Sequence, residues 1–283
     1  MDFIKNILKG IVIGVSNIIP GVSGGTMMVS MGIYDKMLHC ITHFFKDFKK
    51  NIKFLLPIGI GLIVGLVGLS FIIEPAFENF PLPTNAIFIG LIVGGLPAIL
   101  KKVKGNKFKM GYVIPLLIFF GLVVGLAALG EKEGVSADLT FTLWNEIKLF
   151  FVGVVASATM VVPGVSGSMI LLLMGYYNPI IETINLFVKA LVRFDIPVLL
   201  QTCGVLVPMG LGIVIGAVAI AKLIELIFEK CPMYAYYAII GLIVASPIAI
   251  LLVAELGTIN VVNVLVSIVT FAIGVFIAMK LGD

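Results

Sequence analysis

Asn17-Ile18-Ile19-Pro20-Gly21-Val22-Ser23-Gly24-Gly25-Thr26 decides how this chain is read, because its core, Pro20 to Gly24, returns intact as Pro163-Gly164-Val165-Ser166-Gly167. The same shift of 143 residues carries Gly10 onto Gly153, Met31-Gly32 onto Met174-Gly175 and Tyr34 onto Tyr177. Further on, a shift of 151 carries Pro57, Gly59, Gly61, Gly65 and Glu74 onto Pro208, Gly210, Gly212, Gly216 and Glu225, and Gly90-Leu91-Ile92-Val93 onto Gly241-Leu242-Ile243-Val244. Apolar sequence yields chance matches of Gly and Leu. It does not yield both prolines, both glutamates and a shared pentapeptide in collinear order, so the chain is read as a duplication.

Both copies sit in apolar surroundings. The 283 residues are 60% hydrophobic and 12% charged with a mean hydropathy of +1.21, more apolar surface than a soluble domain of this size carries. Six stretches approach the ~20 residues that cross a bilayer as helix: 54–73, 86–100, 112–129, 199–221, 234–253 and 261–279. A cleaved leader is not expected, since Asn17 and Pro20 break the first apolar run. The net charge of +4 is spread over short loops rather than one basic face, which argues for membrane orientation and against nucleic-acid binding.

Each copy therefore reads as one interrupted segment, 10–33 or 153–175, followed by three spans. The resulting fold class is an all-α polytopic membrane protein with one membrane domain, 1–283. It comprises two inverted-topology repeats, 1–130 and 144–283, each a re-entrant helical hairpin plus three transmembrane helices. Three crossings turn the second copy over, provided the interrupted segment enters and leaves on one side. Lysine placement favours that proviso. Lys5, Lys9, the 36–53 segment, the 101–109 loop, the 222–233 loop and Lys280 then share the cytoplasmic side with both termini, while Glu74, Glu78, Glu131, Glu133, Asp138, Glu146 and Glu255 lie opposite.

About ten apolar residues flank each turn, so at 1.5 Å per residue the turn reaches only the middle of a ~30 Å core. Backbone broken at that depth must be satisfied by protein or by a hydrated cavity. Ser23-Gly24-Gly25-Thr26 precedes a helical run, where free N–H groups, the helix dipole and glycine's lack of a side chain suit an anion. Two inverted copies would bring two such turns together at the midplane, the usual layout of a secondary transporter site. The plainer alternative is that Pro20 and Pro163 merely kink two helices.

Other candidates are secondary. Asn17 and Thr159 precede the turns and could donate to an oxyanion or satisfy the broken helix. Glu74 and Glu225, equivalent and near span ends, are candidates for a coupling proton, although a glutamate there is commonly solvated. Arg193, the only arginine, could receive a lipid headgroup or anchor the interface. His39 and His43 lie four apart on an amphipathic stretch with no carboxylate at metal spacing in the sequence, so no metal and no cofactor is expected. Cys40, Cys203 and Cys231 form neither a ligand set nor a disulfide framework.

Taken as a whole, Asn17 to Thr26 followed by Gly32-Ile33-Tyr34, with the second copy at Pro163 to Ser168, resembles the signature of the polyprenyl-phosphate (undecaprenyl-phosphate) transporter family, PopT-type flippases once known only as a domain of unknown function. The resemblance runs over essentially the full chain. It implies a plasma-membrane flippase that returns a polyprenyl-phosphate carrier from the outer to the cytoplasmic leaflet for envelope glycan synthesis, without covalent chemistry. The implied partners are that lipid and the surrounding membrane lipids, with room for a homo-oligomer. The substrate-binding residues would be Asn17, Pro20, Gly21, Ser23, Gly24, Gly25, Thr26, Thr159, Pro163, Gly164, Ser166, Gly167, Ser168 and Arg193. Undecaprenyl-diphosphate phosphatases also use re-entrant repeats and a Pro-Gly-x-Ser-Arg-Ser-Gly turn, but here Gly24 and Gly167 stand in place of the arginine and no intramembrane glutamate cluster is present to move protons. A carrier or channel for a soluble anion is the remaining alternative.

Overall fold

A computed structural model describes residues 2–17, 22–68, 70–129, 136–254 and 256–282, the side chains of 2, 70, 71 and 74 excepted. No strand occurs among the described residues. The helices run α1 Asp2–Ser16, α2 Gly24–Ser30, α3 Tyr34–Thr42, α4 Phe48–Ile63, α5 Ser70–Asn79, α6 Pro81–Val103, α7 Val113–Leu129, α8 Leu143–Val161, α9 Gly167–Leu173, α10 Tyr177–Arg193, α11 Ile196–Lys230, α12 Pro232–Val253 and α13 Val261–Gly282. A π-helical turn, Val64–Gly68, extends α4, and a 3₁₀ turn, Met110–Tyr112, leads into α7.

Local chemistry sets the ends of these helices. Pro81 and Pro232, equivalent under the shift of 151, open α6 and α12, where a missing N–H costs nothing. The short helices α2 and α9 stop at Gly32 (φ +66) and Gly175 (φ +77), a left-handed conformation cheap only for glycine. The closing hydrogen bonds match as well. Ile33 N–H donates to Met28 O and Gly32 N–H to Val29 O, both at 3.0 Å, while Tyr176 donates to Leu171 O and Gly175 to Leu172 O, both at 2.9 Å.

Seven described helical stretches are long and apolar enough to cross a membrane: Phe48–Gly68, Pro81–Val103, Met110–Leu129, Leu143–Val161, Ile196–Lys230, Pro232–Val253 and Val261–Gly282. The protein is multi-pass. Six overlap the expected spans, but the first, expected over 54–73, runs instead from Phe48 to Gly68, and Ser70–Asn79 forms the separate helix α5. The seventh, α8, corrects the sequence reading, which started the second interrupted segment only at 153. Glu146 and Lys148 hide the start of α8 from a hydropathy window, yet both ride on its first turns. Thr142 caps the helix by accepting from Asn145 N–H at 3.2 Å, and the Lys148 ammonium lies 5.6 Å from the centre of the Trp144 ring. In addition, α9 and α10 meet at 109°, a broken span or a re-entrant loop.

The chain divides into two compact units, 1–128 with 163–165 and 222–283, and 129–162 with 166–221. In the first, α6 packs on α13 and α12, α1 on α4, and α2 on α6 around Met27, Ile92, Ile243 and Ile250, all buried. In the second, Leu149, Ile180, Val205 and Met209 form the core. Within the first, a Cβ on Gly10 would strike the Ile58 carbonyl and one on Gly61 the Ile7 carbonyl. Within the second, Gly153 stands in the same way against Met209 and Gly212 against Phe150, every partner displaced by the repeat shifts. Helix backbones touch there only because no side chain intervenes.

Candidate functional site

The two motif copies keep the same local construction. Ser23 caps α2 in extended conformation (φ −108°, ψ 134°), its Oγ accepting from Gly25 N–H at 3.2 Å. Ser166 caps α9 (φ −85°, ψ 123°), its Oγ accepting from Met169 N–H at 3.5 Å and lying 2.9 Å from Ser168 Oγ. The last turn of the helix before each motif carries a hydroxyl bonded back three residues. Ser16 Oγ donates to Ile13 O and Thr159 Oγ1 to Ala156 O, each at 2.7 Å. Thr159 was singled out from the sequence and its counterpart Ser16, fully buried, was not, although the shift of 143 joins them.

Close approaches tie the turns to their surroundings. A Cβ on Gly24 would stand 3.0 Å from Asn17 Oδ1, and one on Gly167 would stand 2.8 Å from Thr159 Oγ1, so each motif glycine lies under the polar end of the preceding helix. Gly25 faces the other copy, since its Cβ would stand 3.0 Å from Pro163 Cα, both residues belonging to the first unit. Gly164 (φ +80) packs there on Val123 and Leu242. The structure thus brings Gly25 to Pro163.

Polarity is uneven across the site. Ser23, Gly24, Gly25 and Thr26 are buried, and among the described residues the Thr26 hydroxyl is the one buried side-chain polar atom without a hydrogen-bond partner. Such an orphan costs about 1–3 kcal/mol unless a ligand or water fills its shell. In the second copy Ser166 is partly buried and Ser168 exposed. Lys9, read from the sequence as a loop charge, is instead 7% exposed within α1, its ammonium donating to Met31 O at 3.0 Å. A cation there opposes the negative end of the α2 dipole.

The remaining candidates separate from the turns. Pro20 and Gly21 lie outside the described residues, as does the Glu74 side chain, although its backbone belongs to α5. Arg193 sits exposed on the last turn of α10, and among the described residues no hydrogen bond or ion pair links it to either turn. Glu225 lies part-buried on α11, and its carboxylate faces His39 and His43 at 3.6 and 3.7 Å. The sequence reading found no carboxylate for those histidines because Glu225 arrives from a helix remote in the chain.

Comparison with known proteins agrees with the motif. A polyprenyl-phosphate transporter of Staphylococcus aureus is 33% identical over 284 residues, covering 98% of this chain and 95% of that protein. A polyprenyl-phosphate transporter of Vibrio cholerae is 28% identical over 203 residues, 66% of this chain and 62% of that one. No solved structure matches. A family model described as undecaprenyl phosphate translocase-like matches residues 13–202, a span that includes both Pro-Gly-Val-Ser-Gly copies. The chain belongs to the undecaprenyl phosphate translocase-like family.

Proposed function

We propose that this protein is a flippase for polyprenyl phosphate, returning an undecaprenyl-phosphate-like carrier from the outer to the cytoplasmic leaflet of the plasma membrane. The observation that carries the reading is the meeting of the two motif copies at Gly25 and Pro163, beside a buried Thr26 hydroxyl that lacks a partner. A phosphate oxygen supplies the acceptor that this hydroxyl lacks. Ser23 and the N–H groups of the turn bind the rest of the headgroup, and the bare glycine surface lets it approach the backbone. From the second copy Ser166, Gly167 and Ser168 contribute, while the prenyl tail stays in lipid. Asn17 and Thr159 flank the path, and Arg193 receives headgroups at the interface.

In this reading the two repeats are inverted, both termini are cytoplasmic, and a coupling proton travels by Glu74 or Glu225. Transport needs no bond broken. A phosphatase would need a cation beside the motif serine, and Gly24 and Gly167 occupy that position. The protein reconstituted in liposomes should translocate labelled polyprenyl phosphate faster than protein-free liposomes. Equal rates under either sign of pH gradient would sink the reading. Release of inorganic phosphate from polyprenyl diphosphate would instead mark an enzyme, and uptake of inorganic phosphate a soluble-anion carrier.

A further inference from the structure

We infer that His39, His43 and Glu225 form a binding site for a divalent transition-metal ion of the zinc class, which clamps α3 to the end of α11. The three side chains each offer a ligand atom, and these atoms lie within 4.8 Å of one another. Glu225 Oε1 is 3.6 Å from His39 Nδ1 and 3.7 Å from His43 Nδ1. Ligand bonds of about 2.0 Å in a tetrahedral site put neighbouring ligand atoms about 3.3 Å apart, so a contraction of a few tenths of an ångström closes two edges of the polyhedron. Two imidazoles and one carboxylate form a borderline donor set suited to zinc and its first-row neighbours.

Two further features favour a metal over a chance cluster, although the imidazole rings, stacked with centroids 4.5 Å apart at 21°, must tilt apart to bind one ion, because ring-nitrogen lone pairs lie in the ring plane and those of near-parallel rings do not converge. Asp47 Oδ2 lies 4.0 Å from His39 Nε2, outside hydrogen-bond reach but near enough to become, on a small shift, the carboxylate that orients a metal-bound histidine. The Thr42 hydroxyl, 2.9 Å from His43 Nδ1, has the Leu38 carbonyl at 3.0 Å as another acceptor, so His43 can release its nitrogen without leaving Thr42 unpaired. The frame stands without the ion, because Tyr34 of α3 meets Phe228 of α11 with ring centroids 6.5 Å apart. Half-exposed His39 leaves one side of the site open for a water or anion as fourth ligand.

The proposal is independent of the transport reading, except that it makes Glu225 a ligand and leaves the coupling proton to Glu74. Its test uses the full chain without a histidine tag, stripped with chelator in detergent, and titrated with Zn²⁺ by calorimetry and with Co²⁺ by visible absorption. Wild type should bind stoichiometrically with tetrahedral Co²⁺ bands and a raised Tm. The double variant His39→Ala/His43→Ala should lose both, and Asp47→Asn should weaken binding about 10–100-fold. Should the double variant not fold, His43→Cys keeps a ligand and should show a thiolate-to-Co²⁺ charge-transfer band. Absence of stoichiometric binding in wild type, unchanged binding in the double variant, or a His43→Cys protein without that band would each overturn the proposal.

Discussion

The first turn region, α1 with α2, and the second, α8 with α9, share a scaffold and differ in their chemistry. Both cap the short helix with serine, both end it on a left-handed glycine, and both carry in the last turn of the preceding helix a hydroxyl bonded three residues back. They part at positions around that shared frame. Gly25 and Thr26 in the first copy correspond to Ser168 and Met169 in the second, and the buried cation Lys9 corresponds to the buried apolar Val152. The preceding helices differ too: 15 residues in α1 rise about 22 Å, short of a ~30 Å core, whereas 19 in α8 rise about 28 Å. Duplication retained what folds the turn; beyond it the first copy keeps its turn buried and holds a buried lysine, while the second exposes Ser168.

The most disruptive test of the shared scaffold is at its helix contacts. Gly61→Ala and Gly212→Ala should each destabilise by about 1–3 kcal/mol or more, because the added methyl meets backbone that cannot turn aside. Their neighbours Gly59 and Gly210 have nothing within 4 Å of a Cβ, so Gly59→Ala and Gly210→Ala should leave the melting temperature nearly unchanged. Thermal melts in detergent that showed a penalty in one copy alone would break the equivalence.

Next in size is Thr26→Val. Removing an unpartnered buried hydroxyl should raise stability while polyprenyl-phosphate translocation falls about tenfold, the rate equivalent of one lost charge-assisted hydrogen bond of roughly 1.4 kcal/mol. A rise in stability with full transport would move the headgroup away from the first turn. Smaller again, Ser23→Ala and Ser166→Ala should each cost about 1 kcal/mol as lost helix caps, read by chemical denaturation. Smallest is Arg193→Gln, exposed and unlinked to the turns, with a stability change within about 0.5 kcal/mol. Transport should fall if Arg193 receives headgroups, and full transport in that variant would take the end of α10 out of the path.

Much of the architecture was legible in the residues. Helices overlap all six expected spans, with the first ending at Gly68 rather than 73, because apolar runs of sufficient length report helices directly, and the turn serines and glycines report caps and breaks through their own backbone preferences. The failures have two causes, charges that mask a helix locally and partners that lie far off in the chain. Glu146 and Lys148 at the start of α8 lower hydropathy without preventing helix, so α8 was cut short. Lys9 was read as a loop charge because a lone lysine among apolar residues does not announce the carbonyl of Met31 that receives it. His39 and His43 seemed to have no carboxylate because Glu225 belongs to a distant helix.

By itself the sequence determined the duplication, the membrane environment and the two interrupted segments, since these depend on composition, period and the conformational limits of Pro and Gly, properties that each residue carries locally. Only the tertiary structure decided that Gly25 meets Pro163, that Lys9 closes on the end of α2, and that Glu225 faces two histidines. Those pairings depend on which helices pack together, and the glycines at Gly10, Gly61, Gly153 and Gly212 set how closely they can do so.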